Sequence, residues 1–316
     1  MASSIVQDQI EFDFPPFARI YKGGRVERLL GTTTVPPSDE DPETGVASKD
    51  VVISPENNVS ARLYLPKLVD PSRKLPILVY YHGGGFCVET SFSPTYHLFL
   101  NRLVAQANVV AVSVDYRRIP EHPLPAAYDD SWVALQWVVS HATGGSEPWL
   151  REHGDFTRLV VGGDSAGANI SQNMAMRATG KDEIISGALL IHPYFWGTEA
   201  IGKEPTDPKD RSKIDALWTF AWPSSSGQDD THVNPVAAGP TSLKELGCKQ
   251  VLVCVAEKDI LRDRGWLYYN TLAKSGWDGV VEMFESDGED HVFHLFNPIC
   301  ENAAVMMKRL ADFFLP

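Results

Sequence analysis

Six short runs of β-forming residues, most of them followed by a helix-compatible segment, constrain this chain more than any other feature. Ile77–Tyr81 is a continuous apolar run, as expected of a strand buried on both faces. Val109–Val114, Leu159–Val161, Ala188–Ile191, Val251–Val255 and Val280–Phe284 are comparable. Helix-compatible segments span Tyr96–Ala107, Pro125–His141, Asn169–Arg177, Asp263–Ser275 and Glu301–Phe314. Buried strands alternating with helices predict a mostly parallel, doubly wound sheet. Lys49–Ile53 and Val59–Leu65 read differently. A turn at Pro55–Asn58 joins them, and the second alternates, as one face of an antiparallel edge pair would.

At 316 residues, 43% hydrophobic and 22% charged, the chain can bury a sizeable core and wall off a dry pocket within one domain, 1–316. A formal net charge of −13, with no basic run to offset it, argues against nucleic acid or an anionic membrane as partner. No apolar run approaches the length of a membrane span. Met1–Asp8 lacks a basic segment followed by an apolar core, which predicts neither a signal nor a transit peptide and a cytoplasmic location. Cys87, Cys248, Cys254 and Cys300 are widely spaced and form no C-x-x-C, which predicts free thiols in a reducing compartment. Protein partners are not legible.

Two stretches fall outside the alternation. Ile10–Tyr21 carries Phe12, Phe14 and Phe17 around Pro15-Pro16 and must cover either the core or the mouth of a pocket. Trp196–Val236 carries a charged run, Trp218, Phe220 and Trp222, and reads either as a surface excursion or as an insertion with a short aromatic helix over a pocket at the strands' carboxyl ends. Together, segments 1–25 and about 196–236 are the expected cap.

The chemistry centres on Gly163-Asp164-Ser165-Ala166-Gly167, between the Leu159–Val161 run and the helical segment from Asn169. Strand, sharp turn and helix, with a serine at the tip, make the context that turns G-x-S-x-G into a nucleophile elbow. A glycine triplet, Gly83-Gly84-Gly85, follows the Ile77 run. Its amides and that of Ala166 are expected to hold an oxyanion. An acid and a base should come later in the chain. Asp259 stands where the Val251 run ends, and His291 opens the segment after the Val280 run. Asp263 reads better as a helix N-terminal residue, and His294 has no expected role. A zinc reading of His291, His294 and nearby carboxylates matches no common ligand spacing, so no metal is expected. A nucleotide reading of Gly162–Gly167 lacks both G-x-G-x-x-G and a P-loop lysine.

His82-Gly83-Gly84-Gly85, the elbow, Asp259 and His291 resemble the hormone-sensitive-lipase group of α/β-hydrolases. Asp115–Ala127 resembles a stretch of the plant carboxylesterases in that group, with Arg118 and Ile119 in place of the usual Leu-Ala. Lys22–Leu29, Asp41–Val46, Phe195-Trp196-Gly197 and Lys274–Trp277 look closest to 2-hydroxyisoflavanone dehydratases and related alkaloid cyclases. The resemblance implies an α/β-hydrolase fold with a small helical cap, no cofactor, and a small-molecule ester or hydroxylated metabolite as substrate. It further implies a serine carboxylesterase with catalytic Ser165, Asp259 and His291, and an oxyanion hole from Gly83, Gly84, Gly85 and Ala166. The alternatives are a dehydratase or cyclase using the same pocket, and a non-catalytic receptor. Legume dehydratases typically carry threonine at the nucleophile position, where this chain has Ser165. Gibberellin receptors lack the catalytic histidine, where this chain has His291.

Overall fold

The computed structural model describes residues 9–180, 184–239 and 243–315. Residues 1–8, part of the expected cap, lie outside them. Eleven strands are present among the described residues: β1 Ile10–Phe14, β2 Ala18–Tyr21, β3 Val26–Arg28, β4 Ala47–Ser54, β5 Val59–Leu65, β6 Leu75–Tyr81, β7 Val110–Asp115, β8 Gly154–Asp164, β9 Gly187–Ile191, β10 Gln250–Ala256 and β11 Val280–Ser286. The last eight form one sheet in the order β11-β10-β9-β8-β6-β7-β5-β4. β6 to β11 are mutually parallel, while β4 and β5 add an antiparallel edge. This is the doubly wound sheet of the α/β-hydrolase fold.

Both faces of the sheet are covered, for the reason visible in β6. Ile77, Val79 and Tyr81 belong to one buried core with the helices Ala126–Ser140, Ala166–Arg177 and Arg262–Lys274. Leu78 and Tyr80 belong to the other, with the helices Pro94–Ala107 and Glu301–Asp312. A strand whose alternate residues both meet apolar cores has no polar face to show. The chain runs outward from β6 to β7 and then returns to the other side of β6 as β8. The strand order therefore reverses there, and a crevice opens beyond the carboxyl ends of β6 and β8.

Three expectations change. The Leu159–Val161 run is the buried middle of an eleven-residue strand whose first half is more exposed. Val280–Phe284 is only partly buried, because β11 is the sheet edge, and Val280 is 62% exposed. The aromatic arm forms a separate antiparallel sheet, β1-β2-β3, whose short strands leave little periodic signal. No helix among the described residues is long and apolar enough to cross a membrane.

Candidate active site

Each candidate residue stands at the carboxyl end of a strand. The elbow sits between β8 and the helix Ala166–Arg177, and Ser165 takes φ +51° and ψ −116°, a conformation rare for a residue with a side chain. Crowding imposes it. A Cβ on Gly163 or Gly167 would strike the Tyr81 carbonyl, so the turn closes only with glycine on both flanks. The Ser165 N–H donates to Ile191 O at 2.9 Å, and the Tyr194 N–H donates to Ser165 O at 3.0 Å, pinning the strained residue from β9.

His291 Nε2 lies 2.9 Å from Ser165 Oγ, and His291 Nδ1 lies 2.6 Å from Asp259 Oδ2. The other oxygen of Asp259 accepts the Leu261 N–H at 2.9 Å. Burial works against the Asp259 carboxylate, but the charge and hydrogen bond of His291 outweigh it and hold its pKa below the usual value. Burial likewise works against a charged His291, yet Asp259 prevails and raises the imidazole above its ordinary value. Asp263 does not join this chain. It starts the helix Arg262–Lys274 and accepts from the Arg262 guanidinium at 2.7 Å.

The glycine triplet follows β6, with φ +93° at Gly84 and +59° at Gly85. Both glycines line the same cavity as Ser165. Gly83 differs. Its N–H is already directed at Tyr96 Oη (2.8 Å) and Asp164 Oδ1 (3.2 Å), so it anchors the loop and has no free donor for a ligand. Ala166, the first residue of the elbow helix, begins a turn whose leading amides have no intrahelical acceptor.

Sequence reasoning missed the support beneath this loop. Asp164 accepts from Tyr80 Oη at 2.8 Å and Tyr96 Oη at 2.9 Å, and burial raises its pKa to about 6. The Tyr116 ring stacks on His82 at 4.3 Å, and its hydroxyl donates to His82 O at 2.7 Å. The only available signal was an acid inside the elbow itself; the tyrosines carry none. The His291–His294 zinc set is not assembled, because His294 is buried with its ring edge-on to Phe99. Among the described residues, His192, Asp259 and His291 do bring ligand atoms within 4.8 Å of one another. Asp259 and His291 are bonded to each other, however, and His192 Nδ1 accepts the Val292 N–H at 2.7 Å.

Above Ser165 lies a cavity of about 370 Å³. Phe14 and Phe17 of the arm wall it on one side, and Ile214 and Leu217 of the helix Pro208–Ala221 wall another. Glu89, Asp164 and Asp259 also face it, and no Lys or Arg is among its lining residues. A larger groove, about 700 Å³, runs between the helices Pro94–Ala107 and Glu301–Asp312 but contains none of Ser165, Asp259 and His291.

A family model described as "alpha/beta hydrolase fold" matches residues 78–295. "Probable carboxylesterase 13" of Arabidopsis thaliana is 52% identical, with 98% of each chain covered. A 2-hydroxyisoflavanone dehydratase of Glycyrrhiza echinata is 47% identical over 99% of this chain and 98% of its own. Among solved structures, a Pyrobaculum calidifontis esterase superposes with a TM-score of 0.69 at 28% identity, covering 84% of each chain.

Proposed function

The chain belongs to the α/β-hydrolase fold family and is a carboxylic ester hydrolase acting on small molecules, and we propose that it works through an acyl-enzyme on Ser165. One observation carries this reading: the unbroken chain Ser165 Oγ–His291–Asp259, with links of 2.9 and 2.6 Å. In the proposed reaction His291 Nε2 takes the hydroxyl proton as Oγ attacks the ester carbonyl, then delivers it to the departing alcohol. Asp259 holds the proton on Nδ1 and stabilises the imidazolium. The N–H groups of Gly84, Gly85 and Ala166 stabilise the oxyanion; Gly83 leaves the expected set because its N–H is engaged. Water, activated by His291, then releases the acid.

The cavity supports a small, largely apolar substrate. Three carboxylates and no Lys or Arg in its lining favour neutral or cationic esters over those bearing a free carboxylate. We regard 1–316 as one domain and the arm and the insertion near 196–236 as its cap, since both contribute walls. We also propose a cytoplasmic location, on four cysteines that carry no disulfide and suit a reducing milieu. A fluorescent fusion concentrated in plastids would overturn that.

The dehydratase relative favours a second reading, elimination in the same pocket. Elimination needs the base and a polarising hydroxyl but no acyl-enzyme. An aryl phosphonate should label Ser165, seen by peptide mass spectrometry, and Ser165→Thr should depress ester hydrolysis while sparing any elimination of a 2-hydroxyisoflavanone. No label on Ser165 would remove the acyl-enzyme. Native elimination outpacing ester hydrolysis in kcat/KM would make the second reading primary.

A further inference from the structure

Residues 191–194, where β9 ends, touch the surroundings of all three members of the Ser165–His291–Asp259 chain. Ile191 and Tyr194 pin Ser165 through the backbone. The His192 N–H donates to Cys254 O at 2.8 Å, on β10, the strand whose end leads to Asp259. His192 Nδ1 accepts the Val292 N–H at 2.7 Å, one residue beyond His291. His192 and Val292 both have left-handed backbone, with φ +45° and +47°. For a β-branched residue such as Val292 this conformation is a true outlier, held only where the surroundings over-determine it.

A backbone amide can only donate, so Nδ1 carries the lone pair and the ring proton sits on Nε2. The ring is 1% exposed, stacked on Phe293 at 5.8 Å and perpendicular to His294 at 5.6 Å. Burial, reinforced by His294, holds its pKa well below the ordinary imidazole value, so the acceptor is not lost to protonation.

We infer that His192 is a positioning residue for the base: its Nδ1 holds the strained loop that aims His291 at Ser165, and its N–H ties the end of β9 to the strand leading to Asp259. The inference rests on the reading of His291 as the base. Without the acceptor, the Val292 N–H is a buried donor with no partner, and the loop relaxes to satisfy it. A shift of about 1 Å at a reacting group costs on the order of 10²-fold in rate.

Two variants test it. His192→Leu fills much of the ring's volume without an acceptor. His192→Asn puts an amide oxygen near the place of Nδ1 and tolerates the left-handed backbone. His192→Leu should lower kcat on p-nitrophenyl acetate by about 10²-fold with KM within about twofold, and His192→Asn should restore most of the loss. The downfield proton resonance of the 2.6 Å His291–Asp259 hydrogen bond should shift or vanish in the first variant and persist in the second. A folded His192→Leu protein with native kcat overturns the inference, as does a folded His192→Asn protein equally impaired. If His192→Leu fails to fold, His192→Asn decides alone: native-like kcat with the resonance supports the role, and loss of both in folded protein overturns it. Failure of the acyl-enzyme reading is distinct, since it shows as native protein unlabelled by the phosphonate.

Discussion

The floor and the roof of the cavity are held by different forces. The floor is built from strand ends, and its geometry is fixed by backbone hydrogen bonds at Ser165, His192 and Gly83 and by close approach at Gly163 and Gly167. The two pieces of the roof, the arm and the helix Pro208–Ala221, meet through side-chain packing. Phe220 of the helix Pro208–Ala221 meets Phe12 and Phe14 at ring distances of 4.8 and 5.6 Å. Farther back, Glu204 accepts from Arg264 at 2.6 Å and Arg211 at 3.2 Å, beside the buried Trp196. Directional bonds specify positions to a fraction of an ångström, whereas apolar contacts specify volume and tolerate exchange. With the reaction proposed above, the difference assigns chemistry to the floor and substrate choice to the roof.

The largest effect should come from Ser165, the proposed nucleophile on the floor. Ser165→Ala should lower kcat on p-nitrophenyl acetate by about 10⁶-fold while leaving the thermal midpoint near native. A folded variant that keeps most of its activity would break the contrast outright.

Next is Asp259, the proposed orienting acid. Asp259→Asn should cost about 10⁴-fold through the wrong imidazole tautomer, whereas Asp263→Asn, in the first turn of the following helix, should be mild. The pH profile sharpens the point. As the proposed base, His291 must be neutral to act, and Asp259 raises its pKa, so kcat/KM should climb through a midpoint above the ordinary imidazole value. Removing the carboxylate's charge should move that acid limb to lower pH. A limb unmoved in Asp259→Asn would assign the titration to another group, with Asp164 the first candidate.

The smallest effect belongs to the roof. An aromatic pair is worth about 0.5–1.5 kcal/mol, so Phe220→Ala should raise KM for bulky aryl esters by about 2- to 10-fold. Turnover of the acetate ester should stay near native. Equal loss of kcat on both esters would mean that the roof also positions the reacting groups.

The amino-acid sequence by itself determined the order of the elements and the candidates for reaction. Strands buried on both faces must be apolar throughout, so β6, β7, β9 and β10 announced themselves, as did the helices between them. The elbow was legible because its turn admits only glycine two positions to either side of Ser165, which leaves a mark in five consecutive residues. Tertiary structure decided what depends on residues far apart in the chain. Gly83 proved an anchor because its N–H meets Asp164, 81 positions away, and His192 meets Val292 across 100. The edge place of β11, the pairing of β1–β3 and the meeting of Phe12 with Phe220 are of the same kind. Such contacts form only when the sheet has closed, and a hydrogen bond between distant residues imposes no period on the sequence near either one.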